Sequence, residues 1–246
     1  MLRSSKALPL TLALAVLSFF ATSCGSSSSG HARFVNAIQN TAVYGNGLDV
    51  EVNGTKDFTN VTFPNASSST YTSVASGSDT ILGVQTGTTT QVFSDTTSLS
   101  SGNQYTLVAT GFASGSGGNV VLLSISDNNT APASGNVEFR VIDASPSGPS
   151  AVDVYIEPEP FSGNLTNPAI SALAYTQTSS YVTLPWNSGG GGWVVFVTAA
   201  GNTTPIFSQT FNFGSQSTAA IRTLVLTDVA NGSSMNPAFL ELSDLN

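Results

Sequence analysis

Apolar residues recur at every second position through most of this chain, the period of a half-buried β-strand. In Val137-Glu138-Phe139-Arg140-Val141 they alternate with charged residues. After a Ser/Pro/Gly turn the alternation resumes in Ala151-Val152-Asp153-Val154-Tyr155-Ile156. A fainter version lies upstream, in Ala32-Arg33-Phe34-Val35-Asn36-Ala37 and Leu48-Asp49-Val50-Glu51-Val52. From His31 onward no helical period stands out, and Gly, Asn, Ser and Pro punctuate the chain about every eight to twelve residues. The pattern predicts an all-β body. Its strands fall at 32–37, 48–52, 70–74, 80–85, 90–93, 104–110 and 120–126, then at 137–143, 152–156, 180–184, 193–198, 205–210, 222–227 and 238–243. Alternation points Val137, Phe139 and Val141 inward with Glu138 and Arg140 outward; it also points Val152, Val154 and Ile156 inward, with Asp153 and Tyr155 on the other face. Leu48, Val50 and Val52 repeat this, with Asp49 and Glu51 outside. Trp193-Val194-Val195-Phe196-Val197 is apolar on both faces, as expected of a central strand covered by a second domain.

The two sets of runs match in order. Arg33 pairs with Arg140, Asp49 with Asp153, and Tyr71-Thr72-Ser73-Val74 with Tyr181-Val182-Thr183-Leu184. Thr106-Leu107-Val108 pairs with Thr223-Leu224-Val225, and Leu123-Ser124-Ile125-Ser126-Asp127 with Leu240-Glu241-Leu242-Ser243-Asp244. Offsets that drift while order is kept are the signature of a duplicated unit with loop insertions. The expected architecture is two tandem antiparallel β-sandwiches, at 31–127 and 137–246, joined by a short Asn/Pro/Gly-containing linker at 128–136. Immunoglobulin-like and transthyretin-like strand orders read alike at this level.

The first residues have a different character. Arg3 and Lys6 precede an apolar run at 7–20, and Ala21-Thr22-Ser23-Cys24-Gly25 follows. This is the layout of a secretory signal peptide, too short for a stable span. Its end resembles the lipobox of bacterial lipoproteins, with Ala21 where Leu is usual. The resemblance implies cleavage of 1–23 and lipidation of Cys24, whose acyl chains would anchor the protein in a membrane. Residues 24–30, rich in Ser and Gly, read as a flexible tether. Gly25 rather than Asp after the cysteine is expected to permit export to the outer membrane. Cys24 is the only cysteine, so no intrachain disulfide is available.

Composition narrows the function classes. Hydrophobic residues make up 40% of 246 residues, enough for a sizeable core, whereas charged residues make up only 8%. A formal net charge of -8, with four basic residues left after the leader, argues against a nucleic-acid partner.

At Arg140-Val141-Ile142-Asp143-Ala144-Ser145-Pro146, followed by Ala151-Val152-Asp153-Val154-Tyr155, the chain resembles domain-of-unknown-function family 4397. Those bacterial surface proteins carry a motif like Arg-Val-Val-His-Ala-Ser-Pro-Asp-Ala-Pro and then Ala-Val-Asp-Val-Tyr. Asp143 stands where the family usually has His, and Ser147 where it has Asp. The first copy keeps Arg33, Ala37 and Asp49. The resemblance implies an extracytoplasmic β-sandwich with no established activity and no catalytic residues to transfer.

Candidate chemistry is sparse. His31, the one histidine, sits beside the tether, a poor position for a triad base. The usual zinc ligands are too few. Asp143 and Asp153 are a weak candidate pair for calcium or for a carboxylate hydrolase, though strand-edge acids or an ion pair to Arg140 are the commoner reading. Trp186 and Trp193 flank a glycine-rich loop and, with Tyr155, are candidates for an aromatic sugar platform; packing in the sandwich is the commoner role of such a Trp. The expectation is a non-catalytic, lipid-anchored protein of the cell envelope, without cofactor, that binds or spaces something outside the membrane. A carbohydrate-binding module, with a glycan or envelope protein as partner, is the alternative; a hydrolase ranks last.

Overall fold

The computed structural model describes residues 29–39, 47–113, 119–187, 192–212, 220–231 and 234–245. Among these residues the secondary structure is all strand and turn. The first half contains β1 (Ser29–Gln39), β2 (Leu48–Val52), β3 (Thr55–Val61), β4 (Asn65–Ala66), β5 (Thr72–Ala75), β6 (Gly77–Gln85), β7 (Gln91–Leu99), β8 (Gln104–Phe112) and β9 (Asn119–Ser126). The second contains β10 (Asn136–Asp143), β11 (Ala151–Pro158), β12 (Ile170–Ala174), β13 (Val182–Pro185), β14 (Trp193–Ala199), β15 (Pro205–Phe211), β16 (Ala220–Asn231) and β17 (Ser234–Ser243). β3, the two-residue β4 and β12 have no counterpart among the predicted runs. Thr55-Lys56-Asp57-Phe58-Thr59-Asn60-Val61 buries only Phe58 and Val61, too few to set a period.

Each half is two sheets. The first pairs β4-β1-β8-β9, with β5 also on β1, against β3-β2-β6-β7. The second pairs β13-β10-β16-β17 against β12-β11-β14-β15, the same order of strands along the chain. The central pairs β1/β8 and β10/β16 are parallel, not antiparallel as expected. A parallel neighbour needs a long crossover, and in each half the whole opposing sheet supplies it. Parallel pairs are typically buried on both faces, and here they are.

Among the described residues three apolar cores result. Phe34 and Ile38 of β1 meet Leu48, Val50, Ile81 and Phe93 inside the first sandwich. Phe139 and Val141 of β10 meet Val152, Val154, Trp193 and Val195 inside the second. A third core joins Val35, Ala37 and Val108 to Ile142, Ala144, Val225 and Leu242. The β1 and β10 sheets therefore pack on one another, and the four sheets form four layers. This corrects two face assignments. Arg140, expected in solvent, is 2% exposed because its side of β10 is that third core. β14 is central, as its sequence predicts, but Phe161 of the β11–β12 connection packs on Phe196, with ring centroids 5.5 Å apart. The other sandwich lies against the opposite sheet.

Candidate functional site

The charged residues of the alternating runs collect between the sandwiches. Arg33 on β1 donates from Nε to Thr106 Oγ1 (2.9 Å), from Nη1 to the Ser243 carbonyl (2.5 Å) and from Nη2 to Asp244. Arg140 on β10 donates from Nε to Thr223 Oγ1 (2.7 Å), from Nη1 to the Ser126 carbonyl (2.9 Å) and from Nη2 to Asp127. Each arginine thus holds its own β8 or β16 neighbour and reaches across to the end of the other half's last strand. Tyr71 and Tyr181 lie under the two guanidinium groups, 4.9 and 4.8 Å from ring centroid to Cζ. Their hydroxyls donate to Asp127 (2.6 Å) and Asp244 (2.7 Å). Burial pushes both phenols well above their ordinary range. The arginine and aspartate side chains are buried and their hydrogen bonds are met within the set, so its chemistry is structural.

Asp153 was a candidate ligand, but its carboxylate closes loops. It accepts the Ala172 amide (2.7 Å) and the Gly201 amide (2.8 Å). Asp49 does the same in the first sandwich, accepting the Asn60 amide (2.9 Å) and Thr86 Oγ1 (2.8 Å), with Lys56 Nζ at 2.6 Å. Ala172 and Asn60 both have positive φ, 49° and 50°, so each carboxylate holds a bulged turn in place. Both acids are buried, not outward as alternation alone suggests. Lys56 holds Asp49 below the usual carboxylate range, with help from the Asn60 amide and against its burial.

Asp143 has different company. It lines a cavity of about 200 Å³ at one end of the second sandwich, with Ser145, Val152, Ile206, Leu226 and Asp228. Asp153 does not line it. Asp228 is saturated: Ser145 Oγ donates at 2.8 Å, the Ser147 amide at 3.5 Å, and Gln39 Nε2 arrives from the first sandwich. Ser147 Oγ donates in turn to Gln39 Oε1 (2.9 Å), which ties the Ser145–Gly148 turn to the other half. Asp143 Oδ1 accepts the Ser145 amide at 3.1 Å. Burial raises the Asp143 carboxyl to about 7, the charge of Asp228 adding to it and the Ser145 amide opposing it. Burial also raises Asp228, against its three donors. Both hydroxyls here are already donating to fixed acceptors. No group of three or more His, Cys, Asp or Glu among the described residues could hold a metal ion. Sequence reasoning missed Asp228. It follows the run Thr223-Leu224-Val225-Leu226-Thr227 by one residue, and only the parallel β10/β16 register brings it to Asp143.

The three aromatic candidates do not form an open platform. Trp193 is 4% exposed and packs edge-on to Phe139 at 6.1 Å. Tyr155, expected on an outer face, is 2% exposed, with its hydroxyl 3.4 Å from the Asn202 carbonyl oxygen. Trp186 is half-buried against the same core. Cys24 and the leader lie outside the described residues, as do 188–191 of the glycine-rich loop.

A family model of a domain of unknown function, DUF4397, matches residues 30–155, which run from β1 to within β11. The chain belongs to the DUF4397 family. The match includes Arg33, Asp49, Asp127, Arg140, Asp143 and Asp153, so the DUF4397 region contributes both arginines of the interface and one wall of the cavity. No curated protein matches the chain. Among solved structures the DUF4397 chain is similar to the Bacillus anthracis TIE protein, at 13% identity and a TM-score of 0.24, over 88% of this chain and 44% of that one. The chain thus spans less than half of that neighbour's length.

Proposed function

We propose that this protein is an exported lipoprotein of the bacterial cell envelope, anchored through acylated Cys24 and presenting two tandem copies of one β-sandwich unit. Its role is binding or structural, not catalytic. The observation that carries the reading is the shared third core. Reciprocal Arg–Asp contacts and an apolar seam join the sandwiches, which suits a body held off a membrane by a Ser/Gly tether. The equal strand orders support the tandem copies, and the leader ending at Cys24 supports the anchor. The serine hydroxyls at the cavity already donate to Asp228 and Gln39, which supports a binding role for that end of the body.

Intact-mass analysis of the protein extracted from the membranes of expressing cells tests the anchor. The expected species begins at Cys24 and carries a diacylglyceryl group, and Cys24→Ala shifts the protein to the soluble fraction. A membrane form with an unmodified Cys24 and an uncut leader would overturn the reading.

A further inference from the structure

Asn36 and Asp143 hold the same station in the two sandwiches. Asn36 on β1 lies across from Ala109 on β8, and Asp143 on β10 across from Leu226 on β16. Each uses Oδ1 to accept the amide two residues on, that of Ile38 or Ser145, both at 3.1 Å. The other side-chain atom separates them. Asn36 Nδ2 donates to the Val61 carbonyl at 2.9 Å, whereas no described residue donates to Asp143 Oδ2. One sandwich completes the station internally. The other leaves an acceptor on a residue that is 1% exposed and lines a cavity.

Strand alternation places Asp143 on the inner face of its sheet with Val141, and Asp228 with Leu226. The cavity extends the second core past Val152 and Leu226 to Pro237 and the exposed Ile206 at its rim. The basic residues in the described segments are engaged elsewhere: Arg33 and Arg140 with Asp244 and Asp127, Lys56 with Asp49, and Arg222 with Glu241. Two buried carboxyl groups therefore share a wall without a cation. Burying such charge unpaired is costly, and a cation brought from outside relieves that cost.

We propose that this cavity binds an alkylammonium group, its nitrogen seated on Asp143 Oδ2 and its stem against Val152, Leu226, Pro237 and Ile206. A cavity of about 200 Å³ with a carboxylate at its inner end and aliphatic walls fits a stem of a few carbons. A free amine and a lysine side chain of another protein present the same chemistry. The inference gives a ligand class to the binding role proposed above and depends on that role, not on the anchor. Lipidated protein that binds no amine would remove the inference and leave the anchor standing.

The carboxyl must be ionised to seat an ammonium. Burial, then the Asp228 charge, hold Asp143 up near 7. The other titratable group coupled to the pair is Tyr175, a phenol raised by burial and neutral at these pH values. Affinity therefore rises with pH through neutrality, falling about tenfold per pH unit on the acid side.

The test is a titration of the full-length protein with n-butylammonium chloride, read from the methyl resonances of Val152, Leu226 and Ile206. Saturable shifts at millimolar ligand are expected at about pH 8, weakening with acidity as above. Asp143→Asn, the residue already present as Asn36, weakens binding by about tenfold or more. Ile206→Lys, at an exposed rim position, supplies a tethered ammonium and blocks the added amine, so the test survives if Asp143→Asn folds poorly. A capped lysine amide run in parallel distinguishes the sources: tighter binding than butylammonium favours a protein ligand, weaker binding a free amine. Failure of both amines to saturate, equal binding of n-butanol, or binding unchanged in both variants would overturn the proposal.

Discussion

Replacing Arg33 by methionine removes the one guanidinium among the described residues that touches both buried carboxylates between the sandwiches. Its Nη2 contacts Asp244 and lies 3.5 Å from Asp127, with all three side chains fully buried. Arg140 contacts Asp127 alone of the two. After Arg33→Met, Asp244 keeps Tyr181 and Thr223 as donors but has no cation. Removing one partner of a buried ion pair costs about 3–5 kcal/mol, since the remaining charge is desolvated and uncompensated. Arg140→Met leaves Asp127 with Arg33, Tyr71 and Thr106, so its cost falls at or below the lower end of that range. Adding Asp244→Leu to Arg33→Met removes the orphaned charge and restores at least half of the loss, because apolar replacement of a whole buried pair is close to neutral. Equilibrium urea unfolding of the full-length protein measures all three values. A cost of about 1 kcal/mol or less for Arg33→Met, typical of an exposed pair, would refute the reasoning, as would a larger cost for Arg140→Met.

Two further outcomes follow from the buried acids. A carboxyl raised from 3.8 to about 7 contributes stability that is full at low pH and lost as pH rises through the folded value, so Asp143→Asn gains on the wild type from about pH 4 upward. The gain levels off above pH 7 at no more than about 4 kcal/mol; a flat difference in urea midpoints across that window would contradict it. Asp153→Ala strands the amides of Ala172 and Gly201, costs about 1–3 kcal/mol, and speeds hydrogen exchange at both. Exchange at those two amides unchanged from the wild type would show that the carboxylate does not hold the loops.

Much of this arrangement was legible in the sequence, though not its purpose. Alternation separates the inner apolar residues Val137, Phe139, Val141, Val152 and Val154 from the rest, and these residues belong to the second core. The residues matched between the halves — Arg33 with Arg140, Thr106 with Thr223, Tyr71 with Tyr181, Asp127 with Asp244 — occupy reciprocal places in one network. Alternation assigns a side chain to a face but does not say what covers that face. Arg140 and Asp153 therefore read as exposed, although one meets the other sandwich and the other closes loops of its own. Asp143 and Asp153, paired in the sequence reading, do not line one cavity, for a related reason. Closeness in sequence put them together, whereas the parallel register sets Asp143 opposite Leu226 and so beside the cavity that Asp228, 85 positions on, also lines. Trp193 was readable as core from its doubly apolar strand, but nothing local showed that Phe161 would cover the outer side.

Whether the sandwiches are one body is measured most directly by scanning calorimetry of the full-length protein. With a shared third core and buried Arg–Asp contacts spanning the halves, neither sandwich retains its outer sheet face when the other unfolds. A single transition is expected, its calorimetric and van't Hoff enthalpies equal. Two separable transitions, or a van't Hoff enthalpy near half the calorimetric one, would show that the sandwiches unfold independently and that the buried network does not join them.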